Sequence, residues 1–468
     1  MEYIMKSKIY RYYIAIFTIL ISVIIISIVY NKNKYVQDDN IEEVLVQQPE
    51  EKNKTDRSYN TYTATIEFDK NLSTFFGNEI INYVHEFEQS TDTIFLRLGL
   101  NEYNSSLNRH SDDKADKSAQ YGDNSIVIKS VKVTGQQVRF RQYNTSLAIQ
   151  LEETLDKDEA VDILIEFEGK VPIINDYIGR AKKSIWLRDF LPRMRVYDNE
   201  EGWLSAGNFG KERYSYSETS KYKVTIIVSE EFDVITGTPY TNCLEENGKK
   251  KVTFDVGMVR DFGMYIGVPK NKKEFKTQQN KTLIIYSDNE IYLEDIGERA
   301  DSLFGYYNDI FGTYPYDTFM IVDANSNYTI SYPKMIIANF RKKEDLMSNM
   351  SKEIGHQWVP YIITHNTKED AWLDYDLIEY MTIREKSSLH SIKKQLQEYQ
   401  AHKEDKQYEV PYLDFAERLS RVEELLGEDL FRERLRHYYK TYAFKISDKK
   451  NFDKVMSKDY QYEKNKNK

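Results

Sequence analysis

The sequence predicts an α+β protein, in which an antiparallel β domain precedes a domain that is first mixed and then helical. Three observations predict this fold. Strand-like runs recur over residues 59–270, helical periodicity dominates after Glu344, and one long uncharged segment precedes both regions. With 468 residues, 40% of them hydrophobic, the chain is long enough for two or three domains with substantial cores.

The first predicted element is an uncharged run of twenty residues, Tyr12–Asn31. As a helix it spans about 30 Å, the thickness of a bilayer core. Three basic residues precede it and two follow it, which favours a cytoplasmic N terminus and main domains outside the cell. A cleaved signal peptide is the alternative, but the long run and its end without small residues favour an anchor. We therefore predict a cytoplasmic segment (1–11), a single-pass anchor in the cell membrane (12–31) and a polar linker (32–58).

Residues 59–272 are predicted to form the β domain. Runs that alternate or are β-branched are separated by clusters of Gly, Asn, Asp or Lys, which is typical of strands joined by turns. The strand-like runs are TYTATIEF, DTIFLRL, IVIKSVKV, SLAIQL, AVDILIEF, YKVTIIV and KVTFDV.

Residues 273–458 are predicted to form the second domain, followed by a polar tail (459–468). Apolar residues recur at steps of three and four from Leu293, which predicts an amphipathic helix that ends at Gly312. Beyond Glu344 nearly every segment has helical periodicity. The strand-like runs of this region are LIIYS, TFMIVDA and KMIIANF.

Charge and cysteine content exclude several classes of protein. The formal net charge of −10 is spread along the chain, which argues against a nucleic-acid partner. A single cysteine, Cys243, excludes an internal disulfide and a cysteine-based metal site.

The segment KEIGHQW, at Lys352–Trp358, is similar to the metal-binding helix of zinc proteases. Such a helix carries two histidines four residues apart, because that spacing puts both imidazoles on one face. The glutamate after the first histidine activates a metal-bound water, and a third ligand comes from elsewhere in the chain. Here Glu353 and His356 fit this pattern, whereas Lys352 stands where the first histidine is expected.

Further motifs extend this similarity along the chain. Together with KEIGHQW they resemble the M1 family of zinc aminopeptidases (gluzincins), in particular its membrane-associated bacterial branch, over roughly residues 55–456. The resemblance implies a β-saddle N-terminal domain, a thermolysin-like catalytic-type domain and zinc as the family cofactor. The motifs are WLRDFLPRMRVYDNEEGW, MVRDFGMYIG, FGTYPYDTF, ISYPKMIIA, KEDAWLDYDLIEYM and VPYLDFAERLSRVEELLGEDLFRERLRHYYKTYAFK.

The resemblance implies roles for individual residues. His356 matches the second zinc ligand and Glu353 the general base. Tyr412, fifteen residues before the glycine of the LG pair, matches the tyrosine that stabilises the oxyanion. Lys352 and Tyr375 stand at the other two ligand positions, Tyr375 nineteen residues after His356.

The same resemblance concerns substrate recognition. In the family, a glutamate in the strand that matches ISYPKMIIA binds the free amino group of the substrate. Ser331 stands at that position and Tyr332 follows it, so the amine-recognition strand has lost its acid.

The three ligand positions give a poor donor set for zinc. A catalytic zinc ion needs three protein donors in fixed geometry. Deprotonating a lysine at pH 7 costs about 4.6 kcal/mol, and a tyrosine faces a similar penalty. We therefore expect zinc to be absent or weakly bound. The ammonium of Lys352 is expected to replace the metal charge and to hold two helices in register, with Glu353, Asp374 or Asp376 as the acceptor.

Four other side chains near the site are possible substitute ligands: His365, Asp374, Asp376 and Glu379. Glu379 lies one helical turn after Tyr375 and would share its face. For the acids of this segment, however, a solvated helix surface is the favoured expectation.

Three functions are compatible with the sequence. The first is a membrane-anchored pseudopeptidase that binds a peptide or protein in the groove between the two domains, without catalysis. A second is a zinc-dependent metallopeptidase with an altered ligand set. The third is a structural ectodomain that docks against another membrane protein.

Overall fold

The computed structural model describes most of the chain from residue 59 onward. The predicted cytoplasmic segment, anchor, linker and polar tail lie outside the described residues. In the ranges that are described, no helix is both long and apolar enough to cross a membrane. The described residues are 59–103, 126–173, 177–181, 183–204, 216–324, 326–366, 370–401 and 413–457.

The first part of the chain, the β-rich half, is made of strands with one short 3-10 helix at Gly99–Tyr103. Each run predicted to be a strand in this half is at least in part a strand. The strands are β1 (Thr61–Phe68), β2 (Thr74–Val84), β3 (Thr91–Arg97), β4 (Ile126–Val133), β5 (Gln136–Gln137), β6 (Phe140–Tyr143), β7 (Ser146–Leu155), β8 (Ala160–Lys170), β9 (Gly179–Ala181), β10 (Ser184–Arg188), β11 (Arg193–Met194), β12 (Tyr197–Asp198), β13 (Gly202–Trp203), β14 (Ser220–Ser229), β15 (Asp233–Ile235), β16 (Asn242–Glu246), β17 (Lys249–Val259) and β18 (Gly263–Gly267).

The largest sheet of the β-rich half has eight strands in the order β16-β17-β14-β1-β2-β8-β4-β5. Its neighbouring strands are antiparallel except for β1 and β14, which run parallel with Tyr62 opposite Tyr222. Two four-stranded sheets, β15-β18-β10-β9 and β11-β3-β7-β6, and the pair β12-β13 complete this half. Alternate residues of β1 are buried, which fits the two-residue period of a sheet with one face on the core.

Strand β2 is absent from the runs that the sequence pattern singled out. Gly77 and Asn78 interrupt its apolar residues, and Glu79 stands on the inward face between Ala64 and Ile165. Glu79 is fully buried, and burial raises the pKa of this carboxyl well above its ordinary value. A strand is recognised by alternating apolar and polar residues, and an acid on the buried face interrupts that alternation.

The rest of the described chain, the mixed half, begins at β19, so the predicted boundary at residues 272 and 273 falls inside this strand. A 3-10 turn at Phe340–Lys342 leads into the second helix. The elements are β19 (Asn271–Lys276), β20 (Thr282–Ser287), α1 (Leu293–Phe311), β21 (Thr318–Asp323), β22 (Ile330–Tyr332), β23 (Met335–Ala338), α2 (Lys343–Gly355), β24 (Thr364–His365), α3 (Ala371–Lys386), α4 (Leu389–Ala401), α5 (Leu413–Leu426), α6 (Glu428–Tyr442), β25 (Ile446–Ser447) and α7 (Lys449–Met456).

A five-stranded sheet of order β19-β20-β21-β23-β22 forms the mixed part of this half. Strands β20, β21 and β23 are parallel, and β22 returns antiparallel to β23. Helix α1 confirms the amphipathic helix that the sequence predicts. It ends at Phe311, and Gly312 follows with φ 118°, a conformation that favours glycine.

Hydrogen bonds join the two halves of the described chain. Tyr316 donates to the carbonyl of Met258 at 2.6 Å, and Arg260 Nη1 donates to the carbonyl of Pro360 at 2.8 Å. Pro360 follows α2 by a few residues, so the β-rich half contacts the mixed half close to the segment with the KEIGHQW motif.

Candidate functional site at the junction of the two halves

Helix α2 carries most of the zinc-protease-like motif and ends within it. Its last residue is Gly355, and the N–H of His356 still donates to the carbonyl of Lys352 at 2.9 Å. Positions 352 and 356 therefore keep the one-turn spacing. A Cβ at Gly355 would lie 2.6 Å from the ring of Tyr307 on α1 and 2.8 Å from Ile378 on α3, so α2 is held at close range by both helices.

Lys352 forms an ion pair with Glu379, to which its Nζ donates a hydrogen bond. This pair joins α2 to α3. The prediction that Glu353, Asp374 or Asp376 accepts this bond is wrong. Glu379 lies on the side of α3 that faces α2, so it reaches Lys352. Glu353 instead accepts from the N–H of Ser331, and Asp374 lies beside His365.

Glu353 lies next to the strand with the expected substrate-binding residues. Its Oε2 accepts a hydrogen bond from the backbone N–H of Ser331 at 2.9 Å. His356 Nδ1 lies 3.4 Å from this same oxygen and 3.4 Å from the hydroxyl of Ser331. All three residues are buried, so the structure brings the predicted base, the predicted ligand and Ser331 together.

Burial lowers the pKa of His356, and the carboxylate of Glu353 opposes that shift. The ammonium of Lys352 lowers the pKa further. A neutral imidazole at pH 7 is the result, since the ordinary pKa of histidine is already about 6.5.

Gln357 fixes α2 to the hairpin of β22 and β23. Its amide nitrogen donates to the carbonyl of Tyr332 at 3.0 Å, and its amide oxygen accepts from the N–H of Lys334 at 2.8 Å. Because this amide bonds to both ends of the turn, Ser331 and Glu353 are held in fixed register.

Lys334 occupies the turn with a φ of 66°, a left-handed conformation that is unusual for lysine. Its Nζ donates to Thr238 Oγ1 at 2.8 Å and to the carbonyl of Val256 at 3.0 Å, both in the β-rich half. The ammonium also lies 5.0 Å from the centroid of the Tyr316 ring. Burial lowers the pKa of Lys334 to about 8.

Three of the four possible substitute ligands, His365, Asp374 and Glu379, have other partners. His365 Nδ1 lies 2.7 Å from Asp374 Oδ1, and its Nε2 lies 2.7 Å from the hydroxyl of Tyr438. Asp374 is fully buried, which corrects the expectation that the acids here lie on a solvated surface. Its other oxygen lies 4.0 Å from Arg260 Nη1 of the β-rich half. Burial raises the pKa of Asp376 to about 6.

Of the two tyrosines that the family resemblance singles out, the structure describes Tyr375 but not Tyr412. Tyr375 lies on α3 and is half-buried, one residue after Asp374. Tyr412 lies outside the described residues, immediately before the first residue of α5, Leu413. Its predicted role stays a prediction.

The donor set at the three ligand positions does not fit zinc. One position holds an imidazole, another holds an ammonium paired with a carboxylate, and the third holds a phenol. Among the described residues, the His, Cys, Asp and Glu side chains form no group of three suited to a metal ion. Catalytic zinc needs three protein donors, so no reaction step is assigned to a metal here.

Arg188 of β10 approaches the same strand from the β-rich half. Its Nη1 donates to the hydroxyl of Tyr361 at 3.4 Å, and this hydroxyl donates to the carbonyl of Ser331 at 2.5 Å. The guanidinium lies 5.9 Å from the ring centroid of Tyr332, whose hydroxyl donates to the carbonyl of Tyr177 at 2.8 Å.

Comparisons with known proteins agree with this architecture. No family model matches the sequence. The probable aminopeptidase 2 of Sulfurisphaera tokodaii is 23% identical over 288 residues, which covers 54% of this chain and 33% of that protein. The chain thus spans about a third of the length of this curated relative.

Solved structures match over most of the chain. The M1 zinc metallopeptidase of Deinococcus radiodurans has a TM-score of 0.61 at 14% identity, with 85% of this chain and 89% of that chain covered. A mutant of the same enzyme bound to a Tyr-Ser-Ala substrate has a TM-score of 0.59 at 13% identity, with the same coverage of both chains. The architecture is therefore that of the M1 zinc metallopeptidases. The sequence match, in turn, is to a probable aminopeptidase.

Several residues of the site were not singled out from the sequence. From the sequence, Glu379 is expected to be a substitute metal ligand or a solvated acid, although an acid near a lysine on a neighbouring helix is equally a partner for an ion pair. Lys334 follows Pro333 within the segment ISYPKMIIA, where a turn residue is expected. Gln357 and Tyr361 had no sequence signal, since their roles depend on a strand that is distant in sequence.

Proposed function

We propose that this chain is a membrane-anchored homologue of the M1 aminopeptidases that binds a peptide or protein segment without cleaving it. The observation that carries the proposal is the ion pair of Lys352 with Glu379. The family resemblance places a zinc ligand at position 352, and here the side chain is a cation engaged with a carboxylate. Without a metal to activate water, Glu353 lacks the partner that a general base of this kind requires.

The proposal includes a location. The uncharged run at residues 12–31 supports a single-pass anchor in the cell membrane, with the described domains on the outer side. The bound ligand would lie in the groove between the two halves, next to Ser331 and Glu353. Clefts at domain junctions are the usual place for ligands.

Metal content and turnover of the purified full chain in detergent test the proposal. We expect far less than one zinc per chain at pH 7 and no hydrolysis of aminoacyl arylamides. Calorimetry should nevertheless detect peptide binding. Stoichiometric zinc with chelator-sensitive hydrolysis that Glu353→Gln abolishes would overturn the proposal.

That outcome would support a second candidate, a zinc metallopeptidase with an altered ligand set. The sequence match to a probable aminopeptidase and the presence of Glu353 and His356 favour it. A third result, no peptide binding and a membrane protein that co-purifies, would support a structural ectodomain instead.

A further inference from the structure

Glu79 lies within the eight-stranded sheet, on the face that packs against the core of the β-rich half. Its strand, β2, has β1 on one side and β8 on the other, and Glu79 stands opposite Ala64 of β1 and Ile165 of β8. Ile81, two residues further along β2, is buried on the same face, and Glu79 itself is fully buried. The positions next to Glu79 on this face of the sheet are therefore apolar.

Neither carboxyl oxygen of Glu79 has a hydrogen-bond partner among the described residues. Such a group is unusual, because native proteins pair nearly all of their buried polar atoms. An unpaired carboxylate in an apolar core is far less stable than the neutral acid, so a carboxyl group in this place keeps its proton. Burial accordingly raises the pKa of Glu79 well above its ordinary value.

Two tyrosines are the titratable groups that act on Glu79 from the neighbouring strands. Tyr62 of β1 stands opposite Ile81 and is thus a diagonal neighbour of Glu79. Tyr222 of β14 stands opposite Tyr62, and the two rings stack with their centroids 4.6 Å apart. Burial raises the pKa of both hydroxyls and Glu79 adds to the rise, so both tyrosines are neutral and offer no positive charge.

The cation that acts on these two tyrosines is Arg193 of β11. It donates to Asp189 Oδ1 at 2.6 Å, so its charge already faces a carboxylate. Two further charged groups act on the tyrosines, Glu218 on one and Asp261 on the other, and both are acids. In the described part of the chain, burial alone sets the pKa of Glu79, so no neighbouring charge compensates its ionised form.

Tyr62 connects the eight-stranded sheet to the sheet β11-β3-β7-β6. Its hydroxyl accepts a hydrogen bond from the backbone N–H of Met194 of β11 at 3.1 Å. Apolar residues of both sheets, among them Ile66 and Leu96, belong to one core. An ionised carboxylate at Glu79 would draw water into this core, because it is hydrated much more strongly than the neutral acid. Ionisation would therefore weaken the contact between the two sheets.

We propose that Glu79 is a pH-sensitive switch between these two sheets: its neutral carboxyl lets them pack in acid, and its ionisation loosens them as the pH rises. This inference goes beyond the proposed function and does not depend on it. The folded chain holds the proton of Glu79 to a higher pH than the unfolded chain does. The stability is therefore complete below the ordinary pKa of 4.5 and is lost as the pH rises towards the pKa of the folded state.

Urea unfolding of the full chain in detergent at pH 5, 6, 7 and 8, followed by circular dichroism, tests the inference. Up to the pKa of the folded state, each pH unit should lower the ratio of folded to unfolded chain about tenfold relative to Glu79→Gln, because glutamine cannot ionise. Glu218 and Asp261 titrate in this range in both chains, so the comparison removes their contributions. An equal pH dependence of the two chains would overturn the inference.

Glu168→Gln is the matched control. Glu168 lies on the adjacent strand β8, but on the outer face of the same sheet, where it pairs with Lys129 at the surface. This variant should keep the pH dependence of the unaltered chain. Glu79→Met gives a second variant in case the buried amide of glutamine prevents folding, and it should remove the dependence as well. A dependence that survives Glu79→Met, or that Glu168→Gln removes equally, contradicts the assignment.

Infrared spectroscopy detects the proton on Glu79 without unfolding the chain. At pH 6, the difference spectrum between the unaltered chain and Glu79→Gln should contain the carbonyl band of a protonated carboxylic acid. This band should disappear over the pH range in which stability is lost. A carboxylate band in its place at pH 6 would show that Glu79 is already ionised in the folded chain, which would overturn the inference.

Discussion

The ammonium of Lys352 has three hydrogen-bond donors and no lone pair at neutral pH, so it can satisfy a carboxylate but not a metal ion. Its partner Glu379 is on α3, the helix that also carries Tyr375. A charge pair thus joins the two helices on which the family resemblance places the expected zinc ligands. The backbone of α2 keeps its one-turn spacing through His356, so positions 352 and 356 lie on one face.

Two substitutions that restore metal-binding side chains test whether positions 352 and 375 match the family's ligand positions. Lys352→His together with Tyr375→Glu should raise zinc content to about one ion per chain, as elemental analysis would measure, because three donors then stand at the three ligand positions. Either single variant should take up much less. A double variant that folds but binds no zinc would show that the positions were matched wrongly.

Lys334 provides a test of backbone strain. Its φ of 66° costs about 1 kcal/mol for any residue with a Cβ, and glycine does not pay this cost. Lys334→Gly and Lys334→Ala both remove the buried ammonium and its contacts. We expect the glycine variant to have the larger free energy of unfolding, by about 1 kcal/mol, in urea titrations. Equal stability would show that the turn relaxes in the variants.

Asp261 should make stability depend on pH. Burial raises its pKa to about 6 from an ordinary 3.8, so the unfolded chain loses this proton at lower pH than the folded chain. The folded state therefore loses stability as pH rises from about 4 to 6. Asp261→Asn should reduce that loss by about 1 to 3 kcal/mol in urea unfolding at pH 4.5 and 6.5. Asp317→Asn, at a fully exposed aspartate, should leave it unchanged.

Between elements, helix α5 is fixed to α3 by a buried ionic contact. Arg384 donates to both oxygens of Glu423, at 2.9 Å and 3.0 Å, and the hydroxyl of Tyr380 donates to the same carboxylate. The side chains of Arg384 and Glu423 are 8% and 2% exposed. The contact therefore holds α5 against α3.

Glu423→Gln should lower the free energy of unfolding by about 3 kcal/mol, because it leaves the guanidinium of Arg384 in a buried place with a weaker partner. Chemical denaturation measures this loss. The control is the next residue, since Glu424 pairs with Lys393 at the surface and Glu424→Gln should cost under about 0.5 kcal/mol. Similar losses in both variants would contradict the distinction.

How much the sequence predicts differs from element to element. Helix α1 was predictable to its last residue, because its apolar stripe and Gly312 are local signals. The parallel pairing of β1 with β14 was not, because it joins segments more than 150 residues apart and no local pattern encodes it. Strand β2 was not predictable from the pattern, because the buried Glu79 interrupts its alternation of apolar and polar residues. The acceptor of Lys352 was not predictable, because it depends on how α3 is rotated about its axis.

At the scale of the whole molecule, the two halves are linked by side chains that reach across the junction. Arg260 donates to Pro360, Tyr316 donates to Met258, and Lys334 donates to Val256. A buried donor that loses its acceptor costs about 1 to 3 kcal/mol, so opening the junction is unfavourable at several points at once.

The described region should therefore unfold as one cooperative unit. Hydrogen exchange followed by mass spectrometry in rising urea should give the same midpoint for peptides of β1 and β14 as for peptides of α1 and α6. Arg260→Gln should shift both midpoints together. Two separate midpoints in the unaltered chain would show that the halves unfold independently.

Gly355 has a consequence for how such a site changes over evolutionary time. Because Tyr307 and Ile378 touch the backbone of α2 at this point, the helix cannot shift when its outward side chains are exchanged. Changes at positions 352 and 375 should then leave the backbone of α2 in place, so a lineage could replace these two side chains one after the other while the domain still folds.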